Sequence, residues 1–308
     1  MGLKQLITDQ ARKIIHLCCK LPFGYQLAPV AIRLGYRFLG VKSRKMLLYG
    51  LRFHYLEAGR GPHLVLIHGL GGSCLAWSFN LGPLSGSFHV IAPDLIGFGF
   101  SDKPLISYRI ATVTEYLHDL LSELKLNKVI LVGNSLGGWV AGHFTLTYPE
   151  MVEKLVLVDS AGYAPEHALS DRERSLLNAV TLSHVKIYAQ RIFFRQQFVD
   201  EPELKIRLRN KITSPEPYVT DRFLDSIEKR QDVLDFRLSG IKVPTLIIWG
   251  REDQVIPVED AMRFHREIAD SKLVIFDQCG HVPQVEYAEK FNQEILRFLA
   301  PHKGETLA

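Results

Sequence analysis

Val129-Ile130-Leu131-Val132-Gly133-Asn134-Ser135-Leu136-Gly137-Gly138 decides how the rest of the chain reads. Four branched apolar residues in a row suit a strand buried on both faces of a parallel sheet. They run straight into Gly-x-Ser-x-Gly and then into a helix-length stretch, residues 136–148. In that strand–turn–helix setting the turn is too tight for Cβ atoms on either side of the serine. The Ser135 hydroxyl is pushed out beyond the sheet edge at a helix N-terminus, where a nucleophile is useful.

The same alternation extends outward from this stretch. Short Val/Ile/Leu-rich runs at 64–67, 90–92, 129–132 and 155–158 alternate with helix-length segments such as 112–124, and 47–49 and 51–57 flank Gly50 as an opening hairpin. Strand–helix alternation predicts βαβ units and a doubly wound, mostly parallel sheet. It stops near Gly162. Residues 163–237 show helical spacing (Leu176, Leu177, Val180; Phe223, Leu224, Ile227) punctuated by Pro165, Pro202, Pro215 and Pro217. Strands then resume at 244–249 and 273–276, before a last amphipathic helix near 286–299. The expected domains are a core of residues 46–161 and 238–300, a helical cap over 162–237, and an N-terminal extension over 1–45.

A serine nucleophile needs a base, and the base needs an acid to orient it. Of twelve histidines, His281 alone sits in the loop between the last strand-like run and the last helix. His68, directly after the 64–67 run, competes with it, although a backbone-shaping role suits that position better. Asp253, after the 244–249 run, is the candidate acid, with Glu252 and Asp159 as alternatives. The order Ser135…Asp253…His281 is the one this architecture uses. An acyl-transfer site must also hold an oxyanion with preorganised N–H groups. Leu136 N–H follows from the turn, and Leu70 N–H from the loop His68-Gly69-Leu70-Gly71-Gly72-Ser73. That loop lacks the Gly-Lys-Ser/Thr ending of a phosphate cradle.

Five ordered landmarks now stand together: His68-Gly69, the 94–101 stretch Asp-Leu-Ile-Gly-Phe-Gly-Phe-Ser, Gly133–Gly138, Gly250-Arg251-Glu252-Asp253, and Gly280-His281. Over roughly residues 46–300 the chain resembles the α/β-hydrolase fold family. The resemblance implies an eight-stranded sheet with an all-helical cap, a Ser135–Asp253–His281 triad, and Asn134, Gly69 and Gly71 beside the substrate. It also implies that the 94–101 stretch shapes the pocket floor, with Asp94 structural. Dehalogenases and soluble epoxide hydrolases place Asp at the elbow, so Ser135 argues against both. Esterases, monoacylglycerol lipases and carbon–carbon hydrolases of ring-fission products remain. Asn134 is similar to the last group, but Gly72-Ser73 stand where its loop usually reads Pro-Gly. An ester or lipid substrate with an apolar acyl chain is the expectation, and a non-catalytic binding member is the rival class. Phe193, Phe194, Phe198 and Tyr163 either line an acyl pocket or pack the cap's own core.

Composition sets the outer limits. In 308 residues, 47% are hydrophobic and 23% charged, which excludes general disorder. A net charge of +4 is too little to argue for nucleic acid. Four scattered cysteines (Cys18, Cys19, Cys74, Cys279) make neither a disulfide framework nor a zinc site. No metal or cofactor is expected. The charge is uneven, however: residues 1–45 hold nine basic side chains against Asp9, leaving residues 46–308 at −4. Leu3, Leu6, Ile7, Ala11, Ile14, Ile15 and Cys18 fall on one helical face beside Lys4, Arg12, Lys13 and Lys20, and residues 27–39 repeat the pattern. Such a segment either lies in a membrane interface or packs on the core. The expectation is a cytoplasmic chain with peripheral membrane contact through residues 1–45.

Overall fold

The computed structural model describes residues 40–165 and 167–300. Tyr49 and Gly50 both take positive φ, 53° and 77°, the two-residue turn whose twist matches that of paired strands. It joins β1 (Lys42–Leu48) to β2 (Leu51–Ala58), with Leu48 opposite Leu51. Strand β1 therefore starts inside the stretch expected to belong to the N-terminal extension. The end of β1, residues 47–48, belongs to the hairpin expected about Gly50, while its first residues are mostly charged and exposed, as an edge strand requires, so no apolar alternation announced its start; Arg44 pairs with Glu57 on β2 at 2.9 Å. The amphipathic pattern of residues 3–18 and 27–39, with Cys18 and Cys19, lies outside the described residues.

Six further strands follow: β3 (His63–Ile67), β4 (His89–Pro93), β5 (Val129–Asn134), β6 (Val152–Val158), β7 (Thr245–Gly250) and β8 (Ser271–Phe276). The eight strands lie in the order β1-β2-β4-β3-β5-β6-β7-β8. Only β1–β2 and β2–β4 pair antiparallel. From β3 the chain winds outward to β4, then returns to place β5 on the other side of β3. That reversal opens a crevice beyond the carboxyl ends of β3 and β5, where open α/β sheets bind ligands.

Successive residues of each central strand feed opposite cores, as a period of two dictates. Val65, Ile67, Leu131 and Leu157 pack on one face with Trp139, Val140 and Phe144. Leu64, Leu66, Val132 and Val156 pack on the other with Trp77, Leu81 and Phe291. Helices α1 (Ile110–Glu123) and α2 (Leu136–Thr147) flank β5. Between β6 and β7 the described residues form no strand but four α-helices, α3 (Asp171–Leu177), α4 (Leu182–Ile192), α5 (Glu201–Ile212) and α6 (Glu216–Glu228), with two short 3-10 turns. Ser170 and Glu173 form a capping box that starts α3, and the Thr181 side chain caps α4. Asp232 ties the end of this insert to the core, pairing with Arg109 at 2.6 Å and accepting the Ala111 N–H at 3.1 Å. Helices α7 (Val258–Glu267) and α8 (Ala288–Leu299) complete the fold. Among the described residues no helix is long and apolar enough to cross a membrane.

Candidate active site

Ser135 sits between β5 and α2 with φ 58° and ψ −122°, a conformation non-glycine residues rarely hold unless their surroundings enforce it. Here they do. Its N–H donates to Val158 O at 2.9 Å, and its carbonyl accepts from Gly138 N and Ala161 N. The neighbouring glycines allow close backbone approach: a Cβ on Gly133 would lie 2.2 Å from Gly137 O, and one on Gly137 2.3 Å from Ile67 O. Leu136, first residue of α2, presents an N–H that has no intrahelical acceptor at that position.

The loop after β3 lies against this turn. The Cβ position of Gly69 is 3.0 Å from Ser135 Cβ. His68 is fully buried and shapes the loop: its Nε2 accepts from Leu95 N at 3.0 Å, so Nδ1 carries the proton and donates to Gly69 O at 2.8 Å. Burial lowers its pKa, consistent with that neutral form. Leu70 and Gly71 follow, with Gly71 facing Glu216 at the start of α6.

Two further loops bring the charged groups. His281 Nδ1 meets Asp253 Oδ2 at 2.7 Å, both side chains buried. The other Asp253 oxygen accepts from Val255 N at 2.7 Å and Ile256 N at 3.1 Å. Glu252 turns away, accepting from Cys279 N at 2.9 Å. Asp159, fully buried at the end of β6, accepts from Gly250 N at 2.9 Å. Asn134 donates its amide hydrogens to Val158 O and His281 O, both at 3.1 Å, and so braces the elbow against the histidine loop.

The insert is fastened to that same loop. His281 N–H donates to Ile192 O at 2.8 Å. Glu286, buried, accepts from Gly280 N at 2.8 Å with one oxygen and from Arg195 N at 2.7 Å with the other. Burial raises its pKa against these hydrogen bonds. Tyr188 on α4 is pushed up to about 12 by burial and by the charge of Asp253. Sequence reasoning passed over both residues. Glu286 falls in a helical pattern, and only the Gly280-His281 turn three-dimensionally beside it could have drawn attention there. Of the aromatic candidates, Phe193 stacks on Phe198 with centroids 5.6 Å apart, while Tyr163 packs on Phe264 and donates to Glu267.

Among the described residues, two groups of ligand-type side chains converge within 4.8 Å: Asp159, Asp253 and His281, and His54, Cys74 and Asp94. The second is a closed network. Asp94 accepts from His54, Cys74 N and Phe100 N, which overcomes its burial and lowers its pKa.

A 2-hydroxy-6-oxononadienedioate/2-hydroxy-6-oxononatrienedioate hydrolase of Escherichia coli (strain K12 / DH10B) is 34% identical over 280 residues, covering 86% of this chain and 95% of its own. Among solved structures, a membrane phospholipase A described as a bacterial virulence factor is 28% identical with a TM-score of 0.82, covering 96% of this chain and 98% of that one. The meta-cleavage product hydrolase CumD of Pseudomonas fluorescens IP01 is 26% identical with a TM-score of 0.75, covering 83% and 96%. A family model for the alpha/beta hydrolase fold matches residues 62–288. With its nucleophile-type turn at the switch point of the sheet and that match across most of its length, the chain belongs to the alpha/beta hydrolase fold family and is a hydrolase.

Proposed function

We propose that the chain is a serine hydrolase that cleaves carboxylic esters with apolar acyl chains through an acyl-enzyme. The observation that carries this reading is the buried 2.7 Å pair of Asp253 and His281, whose histidine loop is hydrogen-bonded to Asn134, the residue before Ser135. With Nδ1 spent on Asp253, His281 keeps Nε2 for the serine. In the first half-reaction His281 takes the Ser135 proton as Oγ attacks the ester carbonyl. The oxyanion that forms is met by Leu136 N–H and Leu70 N–H. Collapse expels the alcohol, which leaves with the proton from His281. Water then repeats the sequence on the acyl-enzyme and releases the acid, restoring Ser135. Gly69 and Gly71 line the approach to the carbonyl beside Asn134, and the helical insert serves as the cap that excludes water.

The similarity to a membrane phospholipase A supports a lipid-derived ester. A second reading, carbon–carbon hydrolysis of ring-fission dienoates, is supported by the Escherichia coli relative. A fluorophosphonate adduct on Ser135, followed by a panel of esters of graded acyl length with one dienoate, tests both. Turnover of medium-chain esters supports the proposal. Turnover of the dienoate alone selects the second reading, and no adduct on folded protein selects a binding protein.

Residues 1–45 are proposed to give peripheral membrane contact, supported by their charge and by the coverage of the membrane phospholipase comparison. Because β1 starts at Lys42, the form to compare lacks residues 1–39. Equal sedimentation of both forms with anionic liposomes would remove this idea.

A further inference from the structure

Asp159 is absent from the mechanism above, yet the fold invests in it. It is a non-glycine residue held at φ 43° and fully buried, with its N–H on Ile248 O. One carboxyl oxygen accepts from Gly250 N, while the other, Oδ2, is buried without a donor to accept from. Its ligand atom lies within 4.8 Å of those of both Asp253 and His281. Two carboxylates that close in a dry site do not both ionise. Which one keeps the proton follows from the donors around each. Asp253 receives three: His281 Nδ1, Val255 N and Ile256 N. Asp159 receives one.

We infer that Asp159 stays protonated in the folded enzyme and donates a hydrogen bond to the Asp253 carboxylate, holding that carboxylate on His281. The inference rests on the reading of Asp253 and His281 as the working pair. Asp159 is thus a positioning residue. It keeps its proton throughout, while the proton that moves passes between Ser135 and His281. The carboxyl pair therefore presents a single negative charge to the imidazolium. The groups facing Asp159 agree. Burial and then the charge of Asp253 raise its pKa well above the usual carboxylate range, and Glu286 from the histidine loop adds to the effect. Cys279, in the same loop, is itself raised by burial and by the acids around it.

The test compares wild type, Asp159→Asn, Asp159→Ala and Asp253→Asn in ester turnover, fluorophosphonate inactivation and pH profile. Asparagine offers the same carbonyl to Gly250 and an N–H to Asp253, so Asp159→Asn is expected to keep kcat/KM within about threefold. Asp159→Ala is expected to lower kcat by about tenfold to a hundredfold with KM unchanged, and to move the acid limb of the pH profile. Loss in Asp159→Asn as deep as in Asp253→Asn, about ten-thousandfold in such triads, would mean that Asp159 is ionised and would overturn the inference. So would unchanged kcat and pH profile in Asp159→Ala. Should the alanine variant not fold, the infrared difference between wild type and Asp159→Asn at neutral pH decides. A lost protonated carboxyl C=O band supports the inference and a lost carboxylate band overturns it. That readout stands even if no ester is turned over, so failure of the hydrolase reading is distinguishable.

Discussion

Glu286→Ala is the perturbation in which structure, stability and activity can be read together. The carboxylate accepts from Gly280 N, one residue before His281, and from Arg195 N in the insert. Removing it orphans two backbone donors at about 1–3 kcal/mol each, or about 2–6 kcal/mol together. A groove lined by Phe79, Arg195, Phe198, Glu286 and Tyr287 brings solvent alongside. Water can then replace part of what is lost, which narrows the expectation to about 2–4 kcal/mol. At about 2 °C per kcal/mol for a domain of this size, Tm should fall by about 4–8 °C in a thermal melt. The loop that slackens carries His281, whose own N–H is held only by Ile192 O of the insert. Its alignment with Asp253 should suffer, and kcat should drop by about tenfold or more. Glu286→Gln should recover less than half of the stability, because an amide offers one acceptor oxygen and turns its NH2 toward the second N–H. A Tm within about 1 °C of wild type together with unchanged kcat/KM would refute the claim that Glu286 couples the insert to the histidine loop.

Other outcomes follow from the same geometry. Ser135→Ala and His281→Ala should each lower turnover by several powers of ten on any ester the wild type accepts, the first with an unchanged melt and the second with a lowered Tm, because the buried Asp253 carboxylate loses its partner. Gly133→Ala places a Cβ 2.2 Å from Gly137 O, backbone against backbone, and should cost about 1–3 kcal/mol or more and abolish fluorophosphonate labelling. Asp159 leaves a pH signature in stability. Its pKa is raised on folding, so its contribution is present in full below the unfolded value, near 3.8, and is lost as pH climbs toward the folded-state value. Denaturant unfolding between about pH 5 and 7 should show wild type losing stability relative to the non-titrating Asp159→Asn at up to about 1.4 kcal/mol per pH unit; a flat difference would contradict the raised pKa.

Much of this arrangement is local and was therefore legible in the sequence. Residues 129–138 specify a buried strand, a glycine turn and a helix through neighbours in the chain, and the structure forms β5, Ser135 and α2 there. The strand–helix alternation and its interruption after Gly162 likewise follow from apolar periodicity, so the parallel sheet and helical insert could be read directly. The opening hairpin about Gly50 was legible too, but not the start of β1 at Lys42, because the first residues of an exposed edge strand are mostly charged and show no apolar alternation. Nor could the choice among Asp253, Glu252 and Asp159 be closed by spacing. All three end β6 or β7, and only the register of β6, β7 and β8 turns Asp253 to His281, Glu252 to Cys279 and Asp159 into the space behind them. Glu286 joined the site only through contacts with residues distant in the chain, and the bond from Asn134, named already in the sequence, to His281 O likewise depends on them. Sequence by itself determined most of the elements and the nucleophile-type turn, since those depend on residues within a few positions of one another. Tertiary structure decided which acids share a proton, which one faces the histidine and what holds the insert down, because those depend on burial and on partners that come together only when the sheet closes.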